Sequence, residues 1–94
     1  MDIHHARSEI DRIDQEISAL FCQRMHCSAA IGAYKLTHGL PIHVPEREEA
    51  IIATLCRDAE PAMHEYINKL YRHIFTLSRE YQHTLTQKDE EDAD

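Results

Sequence analysis

The chain is poor in residues that break helices. It has two glycines, three prolines and no run of β-branched side chains in 94 residues. That shortage speaks against strands and turns and for helices. Cysteine is scarce too: Cys22, Cys27 and Cys56 make an odd count with no CxxC pair. Reduced thiols in the cytoplasm fit this better than a disulfide framework. The start, Met1-Asp2-Ile3-His4, lacks the charged-then-apolar pattern of a secretory signal. No apolar run has the length of a membrane span. The eight histidines include no HxxxH or HExxH pair. His4 and His5, adjacent on a helix, cannot face one ion together, so a metal site is not expected.

Positive charge is also in short supply. Ten Lys and Arg stand against seventeen Asp and Glu, for a net charge of −7. Five of the acids fall in residues 89–94, and the rest of the chain carries only −2. No basic stripe is left over, which excludes a nucleic-acid partner. The acidic end reads as a solvated, disordered tail or the start of a linker, after one small domain over residues 1–88.

What the chain has is a long apolar seam. Ile3, Ile10, Ile17, Arg24 and Ile31 recur every seven residues, accompanied by Ala6, Ile13, Leu20, Cys27 and Tyr34. This spacing predicts one helix over residues 3–37, stopped by Gly39, with other helices packed on its seam. Gly32 lies inside it and is expected to mark a close helix crossing. Residues 38–44 read as a loop. Pro45 suits a first helical turn, with Glu46, Glu48 and Glu49 placed favourably for the helix dipole, so a short second helix is expected over 45–58. Pro61 opens a third, over 61–86, whose expected core stripe is Met63, Ile67, Leu70, Ile74, Leu77 and Tyr81. The fold class is therefore all-α, with one very long, one short and one medium-long helix. The first helix spans roughly 50 Å at ~1.5 Å per residue. A compact chain of this size is only about 32 Å across. The overhanging seam calls for a partner, and an intertwined homodimer is expected.

Arg24 interrupts that seam with a charge that cannot be lost and must find acceptors. No acid lies on the same stripe, and an anionic ligand is one economical answer. Lys35, eleven residues on, falls within ~20° of Arg24 on the helical wheel, with Ile31 between them. Arg7, seventeen residues before Arg24, lies ~100° away and could serve the site of a partner chain. A second stripe on helix three runs Tyr71, Phe75, Ser78, Gln82 and Leu85. It offers two neutral hydrogen-bonding groups one turn apart. Arg47 and Glu48 stand in the first turn of helix two.

These residues resemble, in order and spacing, the all-helical class of chorismate mutase, a small intertwined dimer. The resemblance covers residues 6–85. It is carried by Arg7-Ser8-Glu9-Ile10-Asp11-Arg12-Ile13-Asp14, by Arg24, and by Ile31-Gly32-Ala33-Tyr34-Lys35. Gly39-Leu40-Pro41-Ile42, Pro45-Glu46-Arg47-Glu48, Tyr66, Ser78 and Gln82 complete it. It implies that Arg24, and Arg7 from the partner chain, bind carboxylates of chorismate. Lys35 would contact the ether oxygen and a carboxylate, Gln82 would be the second donor to that oxygen, and Glu48 would accept from the ring hydroxyl. Ser78 and Arg47 would help bind polar groups, and Ile31, Ile51 and Phe75 would line apolar walls. Many members have an acid where this chain has Val44, which removes a polar contact near the ring hydroxyl. The implied activity is the intramolecular rearrangement of chorismate to prephenate, with no cofactor. Isochorismate-pyruvate lyase and amino-deoxychorismate mutase are alternatives on the same fold. A non-catalytic, ligand-sensing helical dimer is the alternative of another class.

Overall fold

The computed structural model describes residues 2–92, and side chains as far as Thr86; Met1, Ala93 and Asp94 lie outside the described residues. Three α-helices account for most of it: α1 (Ile3–His38), α2 (Pro45–Arg57) and α3 (His64–Asp92). A 3₁₀ turn, Pro61–Met63, leads into α3, and there is no strand among the described residues. The fold is all-α, as the shortage of breakers requires. Helix α3 runs on past Thr86, so the backbone of residues 89–92 continues it, while the last two residues of the expected tail lie outside the described residues.

The ends of α1 are set by local chemistry. The Asp2 carboxylate caps the first turn by accepting from the His4 amide at 3.0 Å. At the other end Gly39 takes the left-handed conformation (φ 64°). Its amide and that of Leu40 then reach back to the Leu36 and Lys35 carbonyls at 3.5 and 2.9 Å, closing the helix. Helix α2 has no side-chain cap; it opens on Pro45 with Glu46 and Glu48 in its first turn. The turn from α2 into α3 is fastened by His64, whose Nε2 meets the Ala59 carbonyl at 3.0 Å.

Helix α3 lies against the C-terminal half of α1, and α2 folds back on α3. Beyond that contact α1 stands alone: from Asp2 to Leu20 every residue but Ala6 is exposed. The chain measures 59 × 27 × 15 Å, with a radius of gyration of 16.9 Å. A compact chain of this length would have ~12 Å. Its apolar seam is uncovered, with Ile17 58% and Leu20 61% exposed.

The expected core of α3 is not where the structure puts it. Met63, Leu70 and Leu77 are exposed, while Phe75, Ser78 and Gln82 of the second stripe are buried. Periodicity identifies which residues share a face but not which face meets α1. The face carrying polar groups wins because Gly32 lets Gln82 approach α1 closely. Of the more apolar stripe, Ile67, Ile74 and Tyr81 are half-buried, and Met63, Leu70 and Leu77 are left uncovered like the α1 seam.

Candidate active site

The two buried polar residues of α3 lie opposite the Arg24 face of α1. Arg24, Ser28, Ile31 and Lys35 recur at intervals of four, three and four residues, so they form one stripe along α1. Phe75, Ser78, Arg79 and Gln82 face it from α3, and Arg47, Glu48 and Ile51 from α2. Ile42 and Val44 of the loop close one side. Between them lies a cavity of about 460 Å³, a size suited to a small-molecule ligand.

Arg24 and Lys35, Arg47 and Arg79 bring four cations to this cavity, and Glu48 is the single carboxylate of its lining among the described residues. The local excess is positive in a chain whose net charge is −7. Arg24 donates from Nη1 to Ser78 Oγ at 2.9 Å, and its guanidinium carbon lies 5.5 Å from the centre of the Phe75 ring. Ser78 in turn donates only to the Met25 thioether, at 3.9 Å, which is a weak acceptor. Lys35 donates from Nζ to the Ile42 carbonyl at 3.0 Å, which ties the loop to α1. Neither Arg24 nor Lys35 has a carboxylate partner among the described residues. Two half-buried cations without an acid make a receptor for anions.

Gln82 is the most constrained group. It is 6% exposed, and its Nε2 donates to the Ser28 carbonyl at 2.8 Å and to Ser28 Oγ at 3.1 Å. A backbone carbonyl can only accept, so the amide nitrogen has to face α1. The N–H on Ser28 Oγ is the one a ligand oxygen can compete for, because a hydroxyl can rotate to other partners. Glu48 is held differently. Its Oε2 accepts from Arg79 Nη1, and its Oε1 lies 3.6 Å from His43 Nε2.

Nine of the ten residues singled out from sequence thus share one cavity: Arg24, Ile31, Lys35, Arg47, Glu48, Ile51, Phe75, Ser78 and Gln82. Arg7 does not reach it. It sits on the exposed end of α1, ~25 Å along the axis from Arg24. Ser28 and Arg79 were not singled out. The helical wheel carried a signal for both: Ser28 is one turn from Arg24, and Arg79 is one turn from Phe75 and Gln82. Among the described residues no three His, Cys, Asp or Glu side chains gather to hold a metal ion.

A family model described as chorismate mutase type II matches residues 6–83. The chain belongs to the chorismate mutase type II family. The matched stretch of this chorismate mutase domain runs from just before Arg7 to just after Gln82 and takes in the whole cavity lining. The domain is 45% identical over 56 residues, or 60% of the chain, to the T-protein of Haemophilus influenzae. It is also 45% identical over 56 residues to a bifunctional chorismate mutase/prephenate dehydratase of Aquifex aeolicus. A T-protein of Enterobacter agglomerans is 39% identical over 54 residues, or 57% of the chain. These matches cover only 15%, 16% and 14% of the relatives' own lengths. No solved structure matches the chain.

Proposed function

We propose that this domain converts chorismate to prephenate in phenylalanine and tyrosine biosynthesis. The observation that carries the proposal is the cavity itself: four cations, one carboxylate and a buried glutamine around an apolar floor. Chorismate is a dianion with a ring hydroxyl, and the cavity offers a counterpart to each group. The reaction is a [3,3] rearrangement in which the ether C–O bond breaks as a C–C bond forms within the same molecule. No proton, electron or leaving group has to be delivered. The protein's task is to hold the folded conformer and to stabilise negative charge growing on the ether oxygen.

Arg24 binds one carboxylate, with Ser78 and Arg47 assisting at polar groups. Lys35 donates to the ether oxygen and a carboxylate, and the Gln82 N–H now resting on Ser28 Oγ supplies the second donor. Glu48 accepts from the ring hydroxyl. Ile31, Ile51 and Phe75 exclude water, which strengthens each of these electrostatic contacts. The domain works as a homodimer in which Arg7 of the partner subunit completes the carboxylate site. The uncovered seam of α1 and the exposed stripe of α3 support that assembly. Three free thiols and a small-molecule anionic substrate suit a cytoplasmic enzyme that needs no cofactor, nucleic acid or membrane. Among the described residues no helix is long and apolar enough to cross a membrane.

The test is to incubate the protein separately with chorismate and isochorismate while following prephenate and pyruvate. Prephenate from chorismate upholds the proposal. Pyruvate from isochorismate alone replaces it with a lyase. No turnover of either compound replaces it with a ligand-sensing helical dimer.

A further inference from the structure

Arg79 is a charge in the cavity wall that the proposed reaction leaves unused. Its Nη1 is paired with Glu48 Oε2, and Nη2 reaches Thr76 Oγ1 at 3.5 Å. Both side chains of the pair are largely buried, at 26% exposed for Arg79 and 17% for Glu48. Val44 lines the same cavity and adds hydrocarbon but no charge to its wall. The carboxylate is therefore paired through Oε2 with Arg79, while its Oε1 lies 3.6 Å from the His43 ring.

We infer that Arg79 is a specificity-determining residue that makes the Glu48 end of the cavity accept a ring hydroxyl and reject a ring ammonium. The inference rests on the proposed function and concerns the choice of substrate at the same site. A carboxylate has about four acceptor positions, so a Glu48 already paired with Arg79 can still accept a neutral O–H. An ammonium makes a different demand. It would share one carboxylate with a guanidinium fixed beside it, and it would sit among three further cations, Arg24, Lys35 and Arg47. Like charges brought together in a half-buried site are strongly unfavourable, and such repulsion is an efficient way to exclude a near-identical ligand. Without Arg79, Glu48 would be an unpaired carboxylate beside the substrate ring, and an ammonium would be its natural partner.

The experiment compares kcat/KM for chorismate and for 4-amino-4-deoxychorismate in the wild type and in Arg79→Met, Arg79→Lys and Glu48→Gln variants. The wild type favours chorismate. Arg79→Met lowers that preference by about ten-fold or more, whatever it does to either rate alone. Arg79→Lys keeps the charge and keeps the preference. Glu48→Gln leaves Arg79 without its acid and moves the preference further toward chorismate. It therefore tests the inference even where Arg79→Met fails to fold. An unchanged ratio in Arg79→Met, or in Glu48→Gln where Arg79→Met does not fold, overturns the inference. Wild type that rearranges neither compound sinks the proposed function instead. The comparison then moves to dissociation constants of the two compounds measured by calorimetry. A preference for the hydroxyl compound that Arg79→Met erases upholds selection by charge. Equal binding of both, or none, overturns it.

Discussion

Gly32 and Gln82 touch so closely that a Cβ on Gly32 would stand 2.9 Å from Gln82 Cγ and 3.2 Å from its Cβ. The second distance is the telling one, since a Cβ cannot move without its helix. Gly32 is what lets α3 press Gln82 onto Ser28. Gly32→Ala should gain about 1 kcal/mol of helix propensity and lose roughly 1–3 kcal/mol to overpacking, a net loss of about 0–2 kcal/mol. Its effect on activity should be much larger, because a displacement near 1 Å in a preorganised donor can cost ~10²-fold. Urea unfolding beside steady-state kinetics checks this. Wild-type turnover in Gly32→Ala would mean the contact has no bearing on Gln82.

Arg24 and Lys35 separate rate from stability in a similar way. Arg24→Ala removes a cation that has no acid among the described residues and leaves Ser78 with Met25. Folding should be nearly untouched, while the rate falls by about 10²–10³. Lys35→Ala should lose as much rate. It should also lose about 1 kcal/mol of stability, because the Ile42 carbonyl loses its tether. Thermal melts and kcat/KM for the two variants give the comparison. An unfolded Arg24→Ala would make Arg24 a structural residue.

The long helix was legible because its signals are local: a seven-residue seam, a capping aspartate, a terminal glycine. The cavity was legible in outline for the same reason, since Arg24, Ile31 and Lys35 lie on one stripe of one helix. The partners across the cavity were harder to see. Ser28 looks like an ordinary small helix residue until Gln82 donates to it from 54 residues away. Arg79 looks like a surface charge until α2 brings Glu48 beside it. The buried face of α3 was not legible because amphipathic spacing weighs greasiness, whereas a single glycine decides which face approaches α1. Families share such long-range pairings, which is why resemblance supplied roles for Gln82 and Glu48 that spacing alone left open.

Shared sites make a prediction about mixtures. Arg7 lies on the part of α1 that its own chain leaves bare, and it is absent from the cavity lining. Arg7→Ala and Arg24→Ala should each be nearly inactive alone. Unfolded together and refolded, they should form mixed dimers in which one site holds both arginines. Activity should rise toward a quarter of the wild-type value, since about half the dimers are mixed and each has one intact site of two. Mass spectrometry confirms exchange; background activity despite exchange would remove Arg7 from the site.

The last prediction concerns pH and turns on the nitrogen of Gln82. As an amide it donates to Ser28, and in the proposed reaction would donate to the ether oxygen, at any pH the protein survives. Arginines stay charged over the same range. Wild-type activity should therefore be nearly flat from mildly acidic to mildly basic conditions. Gln82→Glu puts a carboxyl where that donor stood. Protonated, it can still donate; ionised, it sets a negative oxygen against the Ser28 carbonyl in a buried site. Burial and that carbonyl both disfavour the charged form, so the carboxyl's pKa in the folded variant rises above its unfolded value. Between those two values the native state binds more protons than the unfolded one, so stability falls as pH increases. Activity falls in the same direction, because the donor is lost as the proton leaves. The variant should thus work and hold together best at low pH, and lose both toward neutrality. Rate profiles and urea midpoints taken across pH should fall together for Gln82→Glu and stay level for the wild type. A variant as level as the wild type would mean that no donor at position 82 is needed, while a steep wild-type fall between about pH 5 and 8 would implicate a histidine instead.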